Sequence, residues 1–357
     1  MKQETDLEAM YRLFSWRITS NYVPHWDFAQ MKAEISEWDE WCRVWSRYAS
    51  RHAGLGDAAA ADGDERAAGA HYVRAGLFYH WASFVFPHRP DDFRAALAGM
   101  GECWRRAAPF TEPPMELVDV PFDGTLLPGY LRKPAGVERP PVAVLVPGAD
   151  STKEELFNLS EHILERGVAT FVFDGPGHGA VSFELKLRPD YEVPIGAVVD
   201  WLEQRDDLDT ARLGVCGISY GGLFACRAAA LDARVKAAVS MSSWYTPAGR
   251  FQNQDHISQV GLRQYMGEDP GAVQDAMTLE GVADKITVPL LQVYGGRDPA
   301  SPPEHAYRVE AEAQGPTTTV VYEDGVHVCN NLWYEARPLV GHWLARALQP
   351  ARSSPRS

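Results

Sequence analysis

The residue pattern with the clearest chemical meaning is a serine set among glycines. Ser219 lies in the hexapeptide Gly217–Gly222, between an apolar run that predicts a strand and a stretch that predicts a helix. A turn this sharp strains the backbone of the serine, raises its hydroxyl above the sheet edge and leaves no space for side chains on the flanking glycines. The pattern predicts a nucleophilic serine, with the backbone N–H of Tyr220 pointing to the same place.

A base and an acid of suitable type follow along the chain. A serine hydroxyl is a poor nucleophile near neutral pH and needs a base. In proteins with this kind of turn, the acid and then the histidine base follow the serine along the chain. Asp298 and His327 each come just after a predicted strand, where parallel sheets place functional side chains. We therefore predict His327 as the general base and Asp298 as the residue that orients it.

An attacked carbonyl also needs two preorganised N–H donors for its oxyanion. Tyr220 is expected to supply one of them. The second is expected from the loop at residues 147–154, where Gly148 permits a close approach of the backbone. We predict the N–H of Ala149 as this donor, with Asp150 as the alternative.

Five further side chains are candidates for the wall of a substrate pocket. The chain carries 11 Trp, 14 Tyr and 14 Phe, and aromatic side chains supply large apolar walls with a few polar handles. For each candidate, ordinary packing inside the protein is the alternative. The candidates are Tyr79, His80, Trp81, His178 and Trp244.

The elements that must position these residues change in kind near residue 110. Before it, apolar residues spaced by three and four predict helices over 6–19, 70–86 and 91–107. A long helix is predicted from an N-cap at Asp27 to an end at Gly54–Gly56, followed by a loop to Gly69. We interpret residues 1–114 as an all-helical cap domain.

After residue 114 the pattern becomes that of an α/β domain over residues 115–350. Asp123-Gly124 between two apolar runs predicts a hairpin. Valine-rich runs then alternate with helical stretches, which indicates a mostly parallel, doubly wound sheet covered on both faces. The tail at 351–357 is predicted to be disordered.

Composition excludes several classes of protein. An apolar content of 45% and a charged content of 23% are typical of a globular protein, and a net charge of −14 argues against nucleic acid or an anionic membrane as the main partner. No apolar run is long enough to span a bilayer, and no signal-peptide stretch opens the chain, so we expect a cytoplasmic protein. The 5 cysteines show no C-x-x-C spacing and indicate neither a zinc site nor a disulfide framework.

Taken together, these motifs resemble the α/β-hydrolase superfamily over roughly residues 116–348. The resemblance is carried by the Ser219 hexapeptide, by Asp298 and His327, and by the loops at 147–154 and 174–179. It implies an α/β-hydrolase fold with a Ser-His-Asp triad.

A narrower resemblance spans nearly the whole chain. The helical first third, Tyr79-His80-Trp81-Ala82 and the stretch Asp150–Glu155 resemble a subgroup that contains 2,6-dihydroxypseudooxynicotine hydrolase, FrsA-like esterases and fungal polyketide-shortening hydrolases. This resemblance implies a helical N-terminal cap, no metal or organic cofactor, a homodimer, and hydrolysis of carbon–carbon or ester bonds in activated ketones.

We therefore expect an enzyme that cleaves a carbon–carbon bond in a β-dicarbonyl or vinylogous ketone of aromatic or polyketide-like type. The leaving group must then depart as a stabilised carbanion. Alternatives are an ester or lactone hydrolase with the same triad, a lyase, dehydratase or cyclase that uses the site for acid–base chemistry, and a binding protein without activity.

Overall fold

The computed structural model describes residues 5–349, so the predicted disordered tail at 351–357 lies outside the described residues. Five α-helices come first, joined by short turns: α1 (Asp6–Thr19), α2 (His25–Glu34), α3 (Trp41–Ala61), α4 (Glu65–Ser83) and α5 (Pro90–Ala107).

Aromatic residues at helical spacing build the core of this first part. Trp41 and Trp45 lie one turn apart on α3 and are fully buried, with ring centroids 5.3 Å apart. Trp81 of α4 is also fully buried, and its carbonyl oxygen accepts a hydrogen bond from Trp41 Nε1 at 2.7 Å. Buried aromatic residues one turn apart thus pack α3 against α4.

The single long helix predicted from Asp27 is wrong. The chain leaves α2 at Ile35, which has extended backbone angles but keeps its side chain buried. Ser36 donates hydrogen bonds from its backbone N and Oγ to the Glu40 carboxylate at 3.0 and 2.9 Å. This local side-chain bonding competes with the helical pattern and divides one predicted helix into two.

The predicted loop at 54–69 is also wrong, because α3 continues through both glycines to Ala61. Gly56 serves close helix packing: a Cβ there would lie 2.5 Å from Tyr72 Cε1 of α4. The turn comes only at Gly63, whose φ of +77° suits glycine.

Eight strands follow in one sheet: β1 (Met115–Phe122), β2 (Thr125–Arg132), β3 (Pro141–Val146), β4 (Ala169–Phe173), β5 (Asp209–Ile218), β6 (Val235–Met241), β7 (Leu290–Gly295) and β8 (Thr317–Tyr322). Their order is β1-β2-β4-β3-β5-β6-β7-β8. β1 and β2 pair antiparallel, as do β2 and β4, and the remaining pairs are parallel.

The predicted hairpin is present at the front of this sheet. Phe122 pairs with Thr125 across Asp123 and Gly124, whose φ values are +45° and +79°. Positive φ at both central residues matches the twist of the flanking strands. The predicted fold class, a mostly parallel sheet with flanking helices and a helical N-terminal region, is confirmed.

Seven further helices accompany the strands: α6 (Phe157–Leu164), α7 (Glu192–Leu202), α8 (Tyr220–Leu231), α9 (His256–Met266), α10 (Pro270–Ala276), α11 (Glu304–Glu312) and α12 (Trp333–Ala347). The helical first part packs directly on the sheet: Trp104 of α5 stacks on Tyr130 of β2 at 5.8 Å between ring centroids. The change from helices to strands falls between Phe110 and Met115, and the division into domains at residue 114 stays a proposal.

The described part of the chain offers neither a membrane span nor a metal cluster. Among residues 5–349, no helix combines the length and apolarity needed to cross a bilayer. Over the same residues, no group of three or more His, Cys, Asp or Glu side chains is placed to hold a metal ion.

Candidate active site

Ser219 occupies a strained turn between β5 and α8. Its φ of +55° and ψ of −122° lie in a region that side-chain-bearing residues rarely adopt. A Cβ on Gly217 would lie 1.9 Å from the Gly221 oxygen, and one on Gly221 would lie 2.1 Å from the Val146 oxygen. Both positions therefore require glycine, and the tight turn holds the serine at the carboxyl end of the sheet.

The structure brings Ser219, His327 and Asp298 into one hydrogen-bonded series. His327 Nε2 lies 3.0 Å from Ser219 Oγ, and His327 Nδ1 lies 2.6 Å from Asp298 Oδ2. With the Nδ1 proton donated to the carboxylate, Nε2 is the acceptor for the serine hydroxyl. Such an arrangement can remove the hydroxyl proton as the oxygen attacks a carbonyl.

Asp298 is built to remain ionised. Its side chain is fully buried, and Oδ1 accepts hydrogen bonds from the N–H groups of Ala300 and Ser301 at 2.9 and 3.1 Å. Burial alone raises the pKa of Asp298, but the neighbouring His327 and these backbone donors lower it below its usual value. A carboxylate that stays charged can fix the imidazole and stabilise its protonated form.

The loop after β8 holds His327 by strained backbone. Val328 and Cys329 have φ values of +58° and +52°, which are costly for residues with side chains. The N–H of Val328 donates to Ser242 Oγ at 2.8 Å, and Ser242 itself has φ +45°. Strain at three positions around one histidine indicates that its placement is fixed by the surrounding structure.

The loop after β3 passes directly over Ser219. A Cβ on Gly148 would lie 3.2 Å from Ser219 Cβ, and the Gly148 oxygen accepts hydrogen bonds from His178 Nε2 at 2.9 Å and from the Ser151 N–H at 3.0 Å. Because C=O and N–H point in opposite directions across a trans peptide, the N–H of Ala149 points away from His178.

His178 lies behind this loop. It is fully buried, and its Nδ1 accepts a hydrogen bond from Tyr191 Oη at 2.8 Å. Burial lowers the pKa of His178 to about 4, although its backbone contact to Gly148 works in the other direction. His178 is therefore neutral at pH 7, with Nε2 as the donor that holds the Gly148 carbonyl.

A cavity of about 20 Å³ adjoins the Ser219 hydroxyl, which is room for one water or one oxygen atom of a ligand. His327 and Gly148 line it beside the serine, and several apolar side chains contribute to the lining. The remaining lining is unexpectedly polar and comes from distant parts of the chain: Arg17, Asn21, Glu155, Asn330 and Arg337.

Buried ion pairs join α1 to the loop over Ser219. Arg17 donates from Nε and Nη2 to the Glu155 carboxylate at 2.6 and 2.7 Å, and from Nη1 to Asp150 Oδ1 at 2.9 Å. Burial raises the pKa of Glu155, but the adjacent Arg17 guanidinium and then His80 lower it well below its usual range. Charge-assisted, bidentate bonds of this kind fix the relative position of two elements.

Sequence reasoning missed Arg17 and Arg337, because an arginine on an amphipathic helix resembles an ordinary surface residue. One available signal was the run Asp150–Glu155, which places three carboxylates within a loop predicted to be close to the nucleophile. Buried carboxylates need cationic partners. Glu155 receives Arg17 from outside the loop, whereas Glu154 pairs with Lys153 of the loop itself.

Two of the predicted pocket residues contact the Ser219 machinery. Trp244 packs against Tyr220, with ring centroids 4.6 Å apart, and lies 5.9 Å from the His327 ring. His80 lies 3.1 Å from Thr152 Oγ1 through Nδ1 and 3.4 Å from Glu155 Oε2 through Nε2. These residues support the loop and the histidine.

Tyr79 and Trp81 lie away from this cavity, whose lining includes none of the five predicted pocket residues. Tyr79 packs against Gly99 of α5 and shares a hydrogen bond of 2.8 Å with Ser50 Oγ. Trp81 is buried in the core of the N-terminal helices. Neither lines the cavity beside Ser219, and a role for either in substrate binding stays a prediction that this packing does not favour.

Comparison with known proteins decides the family. A family model described as "Esterase FrsA-like" matches residues 37–260, more than half of the chain. The chain belongs to the FrsA-like esterase family. The expected membership of the α/β-hydrolase superfamily and of this subgroup is confirmed.

Named relatives of this FrsA-like protein are hydrolases. A 2,6-dihydropseudooxynicotine hydrolase of Paenarthrobacter nicotinovorans is 29% identical over 313 residues, which are 85% of this chain and 83% of the relative. Hydrolase ORFZ of Pyricularia oryzae is 36% identical over 225 residues, 58% of this chain and 53% of the relative. The match thus spans about half the length of that fungal relative.

Solved structures agree with the sequence comparison. The crystal structure of 2,6-dihydroxy-pseudo-oxynicotine hydrolase superposes with a TM-score of 0.85 at 27% identity, covering 94% of this chain and 95% of that chain. Wild-type AbyA5 gives a TM-score of 0.74 at 21% identity, covering 96% and 99%, and shows the fold alone. The chain is an α/β-hydrolase enzyme.

Proposed function

We propose that this enzyme is a serine hydrolase that cleaves a carbon–carbon bond in an activated ketone of aromatic or polyketide-like type. In this proposal Ser219 is the nucleophile, His327 the general base and Asp298 the residue that orients the imidazole. The observation that carries it is the series of hydrogen bonds from Ser219 Oγ to His327 and from His327 to Asp298, at 3.0 and 2.6 Å.

The first step would be attack on the carbonyl. His327 Nε2 takes the hydroxyl proton as Ser219 Oγ bonds to the carbonyl carbon, and the carbonyl electron pair moves to oxygen. The N–H groups of Tyr220 and Ala149 hold this oxyanion, with the N–H of Asp150 as the alternative second donor. The close approach of Gly148 to Ser219 supports this assignment, and donors of this type contribute about 2.7–4 kcal/mol each.

The second step would break the carbon–carbon bond. The oxyanion reforms the carbonyl, and the bonding electrons leave with the departing carbon as an enolate. Protonated His327 returns its proton to that carbon, which leaves an acyl-Ser219. Water then attacks the acyl group with His327 again as base, and a carboxylic acid is released.

Ester cleavage is the second candidate, and the description of the matching family favours it. The same steps apply, except that the electrons leave on an alkoxide oxygen, which needs no stabilised carbanion. Similarity to 2,6-dihydropseudooxynicotine hydrolase over 85% of this chain supports the carbon–carbon assignment as the first choice.

Trp244 is proposed as one wall of the substrate pocket, because it packs against both Tyr220 and His327. We also propose a helical domain at residues 1–114, a catalytic domain at 115–350 and a homodimer. Sedimentation equilibrium tests the dimer, and a single monomeric species at micromolar concentration would contradict it.

Reaction with a fluorophosphonate probe tests the nucleophile. We expect covalent labelling of the wild-type enzyme at Ser219 and none of Ser219→Ala, with Ser243→Ala labelled as a control for a nearby serine. Turnover of an aromatic β-diketone is then compared with that of an aryl ester. Substantial turnover by Ser219→Ala would indicate non-hydrolytic acid–base chemistry and contradict the proposal.

A further inference from the structure

Arg337 is a buried cation without an anionic partner. It lies on α12, is 7% exposed, and donates hydrogen bonds from Nη1 and Nη2 to the backbone oxygen and hydroxyl of Ser20 at 3.0 and 3.2 Å. Within residues 5–349, no carboxylate forms an ion pair with it. Buried charges are normally paired or bind a ligand, because leaving one unpaired is costly.

The second buried arginine of the cavity shows the contrast. Arg17 has both a bidentate bond to Glu155 and a bond to Asp150. The Asp150 side chain is 28% exposed, whereas that of Glu155 is only 3% exposed. Arg17 thus takes both carboxylates of the cluster, the buried Glu155 and the partly exposed Asp150, and Arg337 forms an ion pair with neither.

The pKa of Arg337 is lowered, as expected for a buried guanidinium without an ion pair. Burial lowers it to about 10, against smaller opposing effects of Glu155 and Tyr22. Nearby Glu155 is therefore not enough to compensate the loss of water around the guanidinium. An anion brought next to Arg337 would restore part of that loss.

The cavity that Arg337 lines also contains Ser219. Its volume of about 20 Å³ suits one oxygen atom of a larger group. A buried guanidinium with no ion pair, placed beside a nucleophile, indicates a place for an anionic ligand.

We propose that Arg337 forms an anion subsite beside Ser219 that binds a carboxylate oxygen. This inference rests on the proposed function, because hydrolysis of any acyl-Ser219 leaves a carboxylate at this position. A carboxylate already present on the substrate has the same chemistry and is the other source. A neutral acyl group gains nothing from Arg337 before hydrolysis, whereas the acid product or an acidic substrate does.

The two sources are separated with a matched pair of esters, 4-nitrophenyl butyrate and 4-nitrophenyl hydrogen succinate. If the subsite serves a substrate carboxylate, the wild-type enzyme prefers the succinate ester. In Arg337→Gln, kcat/KM for the succinate ester then falls about 10–100-fold, and kcat/KM for the butyrate ester changes less than about 3-fold. If it serves the product, the esters do not differ, but protection of Ser219 from the fluorophosphonate by acetate weakens about 10–100-fold in Arg337→Gln.

Two control variants accompany Arg337→Gln. Arg337→Lys keeps the charge and should keep most of the acetate protection. Arg132→Gln removes another buried arginine, one that pairs with Glu161 and lies outside the cavity, and should not change acetate protection. Unchanged ester preference and unchanged acetate protection in folded Arg337→Gln would overturn the subsite, as would the absence of any acetate effect on wild type.

Binding is also measured without turnover. Acetate should raise the Tm of Ser219→Ala but not that of Ser219→Ala/Arg337→Gln. This measurement tests the anion subsite separately from the proposed hydrolase function. If wild type is neither labelled nor active while acetate stabilises it through Arg337, the proposed function fails and the subsite stands; the reverse result removes the subsite alone.

Discussion

Ser219 is flanked by two polar networks that are built in different ways. On one side, Asp298 and His327 lie in the loops that follow the neighbouring strands β7 and β8. His327 contacts both Asp298 and Ser219. On the other side, the loop over Ser219 is held by Arg17 of α1 and by His178. The first network needs only the order of strands in the sheet, whereas the second needs long-range packing of the N-terminal helices.

The networks differ in exposure as well. The His327 side chain is 31% exposed, so that a substrate can reach it, while Arg17 and Glu155 are 11% and 3% exposed. A partly open pair can change its protonation state during a reaction. A buried ion pair instead fixes the relative position of the two elements that carry it, because separating the partners leaves a charge buried without water. The N-terminal helices therefore contribute to the geometry of the site and not only to its cover.

Removing the charge from the first network should have the largest effect on the reaction. Asp298→Asn keeps the shape of the side chain but cannot hold the imidazole in the required tautomer, and we expect kcat to fall about 10⁴-fold. Asp324→Asn, at an exposed acid of the neighbouring loop, is the control and should change kcat less than about 2-fold. A loss below about 10-fold in Asp298→Asn, measured with an aryl ester, would remove Asp298 from the mechanism.

Breaking the second network should act mainly on stability. Arg17→Met leaves the Glu155 carboxylate buried beside His80 without its guanidinium, and we expect the free energy of unfolding to fall by about 3–5 kcal/mol. Arg43→Met removes an exposed pair with Glu40 and should cost less than about 1 kcal/mol. Urea denaturation measures both, and equal losses would show that the α1 contact is no more than a surface ion pair.

The buried His178 predicts a dependence of stability on pH. Its pKa is about 4 in the folded protein against 6.5 for an ordinary histidine, so below pH 6.5 the unfolded chain binds a proton that the folded chain does not. Stability is lost as the pH falls from 6.5 towards 4, by up to about 3 kcal/mol from this residue. His178→Gln keeps an N–H donor but does not titrate, and urea denaturation across this pH range should show a shallower loss.

The same contrast explains what the sequence could predict. Ser219, Asp298 and His327 follow strands, and strand ends of a parallel sheet must meet, so their proximity was predictable from order alone. Arg17 and Arg337 belong to helices whose mutual packing no local pattern specifies. Their proximity to Ser219 depends on how α1 and α12 pack in the tertiary structure.

Errors in predicting helix ends have a related cause. The sequence predicts a helix end at Gly54–Gly56, because sequence alone cannot distinguish a glycine that ends a helix from one that lets a second helix approach. At Gly56, the close contact with Tyr72 of α4 shows that the glycine allows the second helix to approach. The break after Ile35 is likewise accompanied by hydrogen bonds that the helical pattern does not reveal, from Ser36 to the Glu40 carboxylate.

The smallest predicted effect tests this difference inside α3. Gly54 is exposed in the helix interior and has nothing within 4 Å of an added Cβ, so Gly54→Ala should raise the free energy of unfolding by about 1 kcal/mol without changing kcat. Gly56→Ala, two residues on, should instead destabilise by about 1–3 kcal/mol, because its Cβ meets the Tyr72 ring. If both substitutions stabilise the protein in urea denaturation, α3 and α4 are not in close contact at this position.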